Sequence, residues 1–257
     1  MMIPKPIFLT LLVLICFVAP SWSKKDYNSP QGHQGKLKSY EAGPFDLDLN
    51  KKELDTLVAG KPVMKQPPPK EGELGGGAIC VQDVEAPKEA VWAQILDMDK
   101  YKGKVPKINE CKNYVVNKNE DGTVQVKTKM VVGIIPGYSV RTYFSFKSRS
   151  GLGYTSHYDH KVDVEKDSVT WRLDYEKTSD FDDVSGHWHL EEHPEKPDCT
   201  RVFYACDVML KGAVPKPIAN YLSKSALKTA TGWVKKESEK NPAGKVPKVF
   251  ESPAFVK

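Results

Sequence analysis

The sequence predicts an α+β domain in which a curved antiparallel sheet wraps around one long C-terminal helix. Three observations lead there. Between residues 111 and 210 the apolar residues alternate in CKNYVVNK, TVQVKTKMVV, SVRTYFSFKS, YTSHYDHKVDV, SVTWRLDYE, GHWHLEE and TRVFYACDVML, with Gly, Asn, Asp or Pro turns between them. This is the signature of a meandering, half-buried sheet. After Pro215 and Pro217 the period changes to three and four in IANYLSKSALKTATGWVKKESEK, the pattern of an amphipathic helix. A half-buried sheet needs an apolar cover, and no other helix here is long enough to supply it.

The domain spans residues 78 to 240, a length sufficient for one sizeable core. It opens on the strand AICVQDV. Ala86-Pro87-Lys88-Glu89 then starts a helix, because proline in the first turn lacks only an amide proton that would be unpaired there. Val91, Trp92, Ile95, Leu96 and Met98 form the apolar side of that helix. Tyr101 and Val105 continue the apolar contact, and Pro106 blocks further helix. In SVTWRLDYE, Val169, Trp171, Leu173 and Tyr175 take one face while Thr170, Arg172 and Asp174 take the other. In the last strand Val202, Tyr204, Cys206, Val208 and Leu210 oppose Arg201, Phe203, Ala205 and Asp207. On the C-terminal helix Ile218, Leu222, Ala226, Thr229 and Trp233 are expected to face the sheet, with Lys224, Lys228 and Lys235 toward solvent.

Residues 1 to 23, MMIPKPIFLTLLVLICFVAPSWS, place Lys5 ahead of an apolar run that ends near the small residues Ser21 and Ser23. That is the form of a secretory signal peptide cleaved after Ser23, and the run is shorter than the ~20 residues that span a bilayer. Cleavage removes Lys5, so the formal charge falls from +5 to +4. The implied destination is secreted or an endomembrane lumen, and the basic SKKDYNSPQGHQGK leaves a plastid route through a secretory signal open. Cys80, Cys111, Cys199 and Cys206 remain, and in an oxidising compartment they permit two disulfides, or else four buried thiols. Residues 24 to 77 carry PPP and EGELGGG and read as a flexible N-terminal arm. Within it, FDLDLNKKELDTLVAG suggests a short helix lined by Leu49, Leu54, Leu57 and Val58. Residues 241 to 257 read as a basic C-terminal tail.

Several function classes lack their signals. There is no Gly-x-Ser-x-Gly elbow, phosphate-binding Gly-rich loop or dinucleotide fingerprint, and no cofactor is implied. The cysteines contain no C-x-x-C pair and the histidines no H-E-x-x-H metalloprotease pattern, so no metal is expected. From Lys211 to Lys257 ten lysines stand against three glutamates, a net +7, while residues 153 to 200 have thirteen acids against five Lys or Arg, a net −8. A basic face of this kind suits transient contact with an anionic membrane, or is simply a solvated tail. It forms no base-reading module, and no nucleic acid is expected. The chain is expected to be a monomer.

The succession of strand, helix ending in LDMDKYKGKVPKIN, antiparallel strands and final long helix resembles the START-like superfamily. The pattern is closest to the polyketide cyclase/dehydrase and lipid-transport group that includes coenzyme Q-binding proteins. VWAQILDMDKYKGKVPKI is similar to the form V-W-x-x-L-x-D-x-x-x-Y-P-x-F-x-P found in that group. Val91, Trp92, Asp97, Tyr101 and Pro106 fit it, Ile95 or Leu96 takes the leucine place, and Lys102 and Lys104 depart from it. The resemblance implies a helix-grip (Bet v 1-like) fold over residues 78 to 240, with a largely apolar cavity. The implied function is binding or transfer of a hydrophobic small molecule, a lipid or isoprenoid, without catalysis. Phe144, Tyr158, Trp171, Tyr175, Trp188, Tyr204, Leu222 and Trp233 are the expected cavity lining, since concave apolar sites of this kind are walled by large side chains. Two alternatives stand beside it. One is a polyketide cyclase-like enzyme acting on an aromatic substrate, with Arg141 stabilising an enolate while His157 or Asp159 moves a proton. The other is a secreted interaction domain that turns over no ligand.

Overall fold

The computed structural model describes residues 25–65, 78–133, 153–211 and 216–251, with backbone alone for 153, 210 and 216–226. The expected strand SVRTYFSFKS, with Arg141 and Phe144, lies outside the described residues, as does the side chain of Leu222. Among the described residues there are strands β1 (Val63–Lys65), β2 (Ile79–Val84), β3 (Ile108–Lys118), β4 (Val124–Gly133), β5 (Gly153–Asp163), β6 (Ser168–Leu173), β7 (Phe181–Glu192) and β8 (Thr200–Leu210). They form one sheet in the order β1-β2-β8-β7-β6-β5-β4-β3, and every neighbouring pair is antiparallel. Three helices accompany it: α1 (Lys51–Val58), α2 (Lys88–Leu96) and α3 (Lys216–Lys240). The α+β class and the large antiparallel sheet are those the alternation predicts.

The helix α2 is buried on all sides, from Ala90 through Leu96, as expected of a helix clamped between layers. Lys88 Nζ pairs with Asp167 at 2.6 Å, and the Trp92 indole N–H points to the same carboxylate at 3.5 Å. Both contacts tie α2 to the turn between β5 and β6. After α2 the chain makes a short 3-10 turn, and the Tyr101 hydroxyl donates back to the Ile95 carbonyl.

Helix α3 lies along β2 and β8 and against α2. Its described inward residues are Leu227, Thr231, Val234 and Ser238, spaced by four, three and four. Trp233 is also buried and meets Tyr101 edge-on at 5.1 Å, but Thr229 is only half-buried. The stripe expected through Thr229 is therefore rotated in the second half of the helix. The physical reason is that small Ala and Thr residues weigh little in an apolar pattern, whereas the Thr231 hydroxyl sits 3.2 Å from the buried Cys80 thiol and sets the register. Lys235 is less exposed than expected, donating to the Asp83 carbonyl at 3.0 Å.

Residues 25 to 63 of the segment expected to be a flexible arm are instead a packed layer on the sheet's outer face. Lys25 Nζ reaches Asp180 at 2.5 Å, and the Tyr27 hydroxyl donates to the same carboxylate at 3.0 Å. Gln31 Nε2 donates to the carbonyls of Phe181 and Asp182 at 2.8 and 2.9 Å. The amides of Lys36 and Leu37 donate to Asp183 at 2.5 and 2.7 Å. Phe45 meets His187 at a tilt and stacks on Phe203, at 4.4 and 6.0 Å between rings. Helix α1 ends the layer, but only Leu57 of its expected apolar face is buried; Leu54 and Val58 are exposed. Leu57 and Val63 pack with Ile79, Val81, Phe203 and Ala205. Composition concealed this layer because its partners are backbone groups and carboxylates, not an apolar stripe. The tail is similarly corrected: Val246 and Phe250 are buried in the main core.

Among the described residues the cysteines form no disulfide. Cys80, Cys111, Cys199 and Cys206 are free, the first two of them buried. Cys80 and Cys206 stand opposite Tyr204 and Gly186 on neighbouring strands, so ladder register assigns each a non-cysteine partner.

Candidate functional site

The face of the sheet turned to α3 is built by register. On β5, Tyr158 and His160 stand opposite Leu173 and Trp171 of β6; Trp171 stands opposite Gly186 of β7; Trp188 stands opposite Tyr204 of β8. Strand alternation then puts all of them on one side. Gly186 is what lets Trp171 lie flat across β7: a Cβ there would fall 2.1 Å from the indole. The rings form a continuous wall, with Trp188–Tyr204 at 4.1 Å, Trp171–Tyr204 at 5.6 Å, Trp171–Trp188 at 6.4 Å and His160–Trp171 at 6.1 Å.

This inner face is closed at one end and accessible at the other. Along β8, Val202 is fully buried, Tyr204 and Cys206 are half-buried, and Val208 is 36% exposed. On β4 the same trend runs from buried Val124 and Val126 to half-buried Met130 and Val132. On β5 it reaches half-buried Tyr154, whose ring stacks on Phe181 of β7 at 5.3 Å.

The electrostatics of the wall are neutral. Burial pushes the His160 imidazole down to about 3, so it carries no charge near neutral pH. Neither of its ring nitrogens has a hydrogen-bond partner, and neither does the buried Ser156 hydroxyl four positions earlier on β5. Burial raises the phenols of Tyr158 and Tyr204 and pushes the Cys206 thiol up to about 12. Such groups stay protonated, and none is an activated nucleophile. Among the described residues, the inner positions of β4 to β8 carry no Lys or Arg, and their one carboxylate is Glu192, exposed at the end of β7.

Several expected site residues sit elsewhere. Strand β6 stops at Leu173, so Tyr175 leaves the alternation: its hydroxyl donates to Asp183 at 2.8 Å and its ring meets His33 at 5.6 Å, under the N-terminal layer. His157 and Asp159 face the outer side. His157 Nδ1 lies 3.1 Å from the Thr178 carbonyl, and burial lowers its pKa. Asp159 accepts from Gln125 Nε2 at 2.9 Å, and burial raises its pKa. His157 and Asp159, named for the proton transfer, therefore do not meet the aromatic wall, and Arg141 lies outside the described residues. His187 and His189 share the outer face, with rings 6.2 Å apart, and both contact the Ser168 hydroxyl. Among the described residues no three His, Cys, Asp or Glu side chains are grouped to hold a metal ion.

The chain after α2 borders a separate surface crevice of about 440 Å³, walled by Leu96, Met98, Asn113, Val116, Val249 and Phe250. Asp99 fixes this region to the edge strand by accepting from the Asn113 amide at 2.9 Å. Among the described residues no helix is long and apolar enough to cross a membrane. Sequence reasoning passed over Ser156, His160, Gly186 and Phe181 as site residues. The alternation that puts Tyr158 inside carries Ser156 and His160 with it, but the close approach of Trp171 to Gly186 has no local signal.

No family model and no curated protein matches the chain. Among solved structures, it is similar to a START superfamily protein from Mycobacterium smegmatis, at 18% identity over 70% of this chain and 97% of that one, with TM-score 0.48. It is similar to the Zhui aromatase/cyclase from Streptomyces sp. R1128, at 16% identity, covering 65% and 97%, with TM-score 0.45. It is also similar to a STAR-related lipid transfer protein fragment from Xanthomonas axonopodis, at 12% identity, covering 66% and 89%, with TM-score 0.47.

Proposed function

We propose that this chain is a START-like, non-catalytic binder and carrier of a hydrophobic small molecule, a lipid or isoprenoid, held between the inner face of the sheet and α3. The observation that carries the reading is the neutral wall of Trp171, Trp188 and Tyr204, which becomes accessible along β8 toward Val208. An apolar chain laid on that wall gains ~0.8 kcal/mol for each methylene removed from water, without directional polar chemistry. The isoprenoid option follows from the likeness of VWAQILDMDKYKGKVPKI to the coenzyme Q-binding pattern. In this reading the sheet grips α3, and loading requires movement near α2 and beside the first half of α3. Secretion, and transient contact of the lysine-rich C-terminal region with anionic membranes, belong to the same proposal.

The test is purification from the native source, lipid extraction and mass spectrometry. Near-stoichiometric recovery of one lipid or isoprenoid class is expected, with a loss of roughly tenfold or more in Trp171→Ala and Tyr204→Ala. An empty protein that turns over an aromatic polyketide would replace carriage with catalysis. Equal ligand recovery from both variants would show the wall to be core alone.

A further inference from the structure

Two polar side chains on the inner face of β5 are buried without partners. His160 is 7% exposed and Ser156 1%, and His160 Nδ1, His160 Nε2 and Ser156 Oγ make no hydrogen bond. The other two buried hydroxyls in this condition are apart from them, Ser185 on the outer side of β7 and Ser238 on α3. Orphaned buried polar groups cost stability, of order a hydrogen bond each, and need an explanation. His160 lies within ring contact of Tyr158 at 5.9 Å and Trp171 at 6.1 Å, which places it in the wall that the ligand would cover. Four residues of extended strand separate it from Ser156, about 13 Å, a span on the scale of a lipid or isoprenoid segment.

Resting on the binding reading above, we propose that the ligand of the inner face carries a neutral oxygen, a hydroxyl or carbonyl, that hydrogen-bonds the His160 imidazole. An uncharged imidazole offers one N–H donor and one acceptor nitrogen, which suits a hydroxyl fully and a carbonyl through the donor alone. A carboxylate is selected against, because the described inner positions of β4 to β8 hold no cation, and a charge buried without a partner is strongly penalised. A pure hydrocarbon leaves His160 unanswered.

The experiment compares three probes of similar length, oleyl alcohol, oleic acid and 1-octadecene, delivered from cyclodextrin to delipidated full-length protein and read by tryptophan fluorescence. The alcohol is expected to bind at least roughly tenfold tighter than the alkene, with the acid weaker than the alcohol. In His160→Leu that preference should fall below roughly threefold while alkene affinity holds, and His160→Gln, which keeps a donor and an acceptor, should restore it. Equal binding of alcohol and alkene to the unaltered protein would overturn this inference and leave apolar binding standing. A preference that survives His160→Leu would overturn it as well. If none of the three probes binds, the binding reading itself fails and takes the inference with it.

Discussion

Both faces of the sheet are buried along the middle of β7 and the start of β8, yet they are finished differently. On the outer face the described buried polar groups have partners from the same chain, apart from the Ser185 hydroxyl. Asp183, fully buried, accepts from the Lys36, Leu37 and Val184 amides and the Tyr175 hydroxyl. Asp180 takes Lys25, Tyr27 and the Thr155 amide. Asp83 takes Arg201 through two hydrogen bonds, at 2.8 and 3.0 Å. On the inner face the aromatic rings pack well, but His160 and Ser156 are left unanswered. The contrast teaches that the outer face is complementary to residues 25 to 63 of its own chain, whereas the inner face has polar capacity that no described residue uses.

The sharpest break in this contrast is Gly186→Val. It places atoms where the Trp171 indole lies, and overpacking of this severity is expected to cost about 3 kcal/mol or more, seen as a lower urea midpoint and a changed tryptophan emission. A normal midpoint with unchanged emission would show that Trp171 does not lie across β7. On the outer side, Asp183→Ala removes the acceptor of three backbone amides and a phenol, for an expected loss of about 3 kcal/mol. The accompanying signature is faster proteolysis between residues 25 and 45. Cleavage there no faster than in the unaltered protein would mean the layer is held by other contacts.

Acid should reveal one histidine on each face. Burial holds His160 at about 3 and His187 at about 4, both below the ordinary value near 6.5. The unfolded chain therefore binds these protons first, and stability is complete above about pH 6.5 and declines as pH falls. Each group contributes about 1.4 kcal/mol per pH unit, down to its folded value. His160→Leu and His187→Phe should each flatten the fall in urea midpoint between pH 6.5 and 4; a slope unchanged by both would mean neither is buried as described. The smallest effect belongs to Tyr27→Phe, which removes a part-exposed hydroxyl from Asp180. A change of at most about 1 kcal/mol is expected by urea titration, and a larger one would mean that Tyr27 holds the whole layer.

Most of the sheet was legible because alternation is local: the strand pattern around Trp171, Trp188 and Tyr204 placed all three on the inner side, where they lie. Tyr175 was misplaced for the same reason, since period two was extended two residues beyond Leu173, where β6 ends. The N-terminal layer was not legible, because its holds on Asp180, Asp182 and Asp183 join residues some 150 positions apart in sequence. Such hydrogen bonds leave no periodic trace in either segment. Cysteine count allowed disulfides, but pairing depends on which strands are neighbours and in what register.

By itself, then, the sequence determined the antiparallel sheet, the helices before and after it, and which residues of each strand share a face, since these follow from side-chain periodicity along a single segment. Only the tertiary structure decided that residues 25 to 63 seal the outer face, that Gly186 makes room for Trp171, and that His160 is enclosed without a partner. Each of these depends on distances between segments remote in the chain, and burial and hydrogen bonding act through those distances.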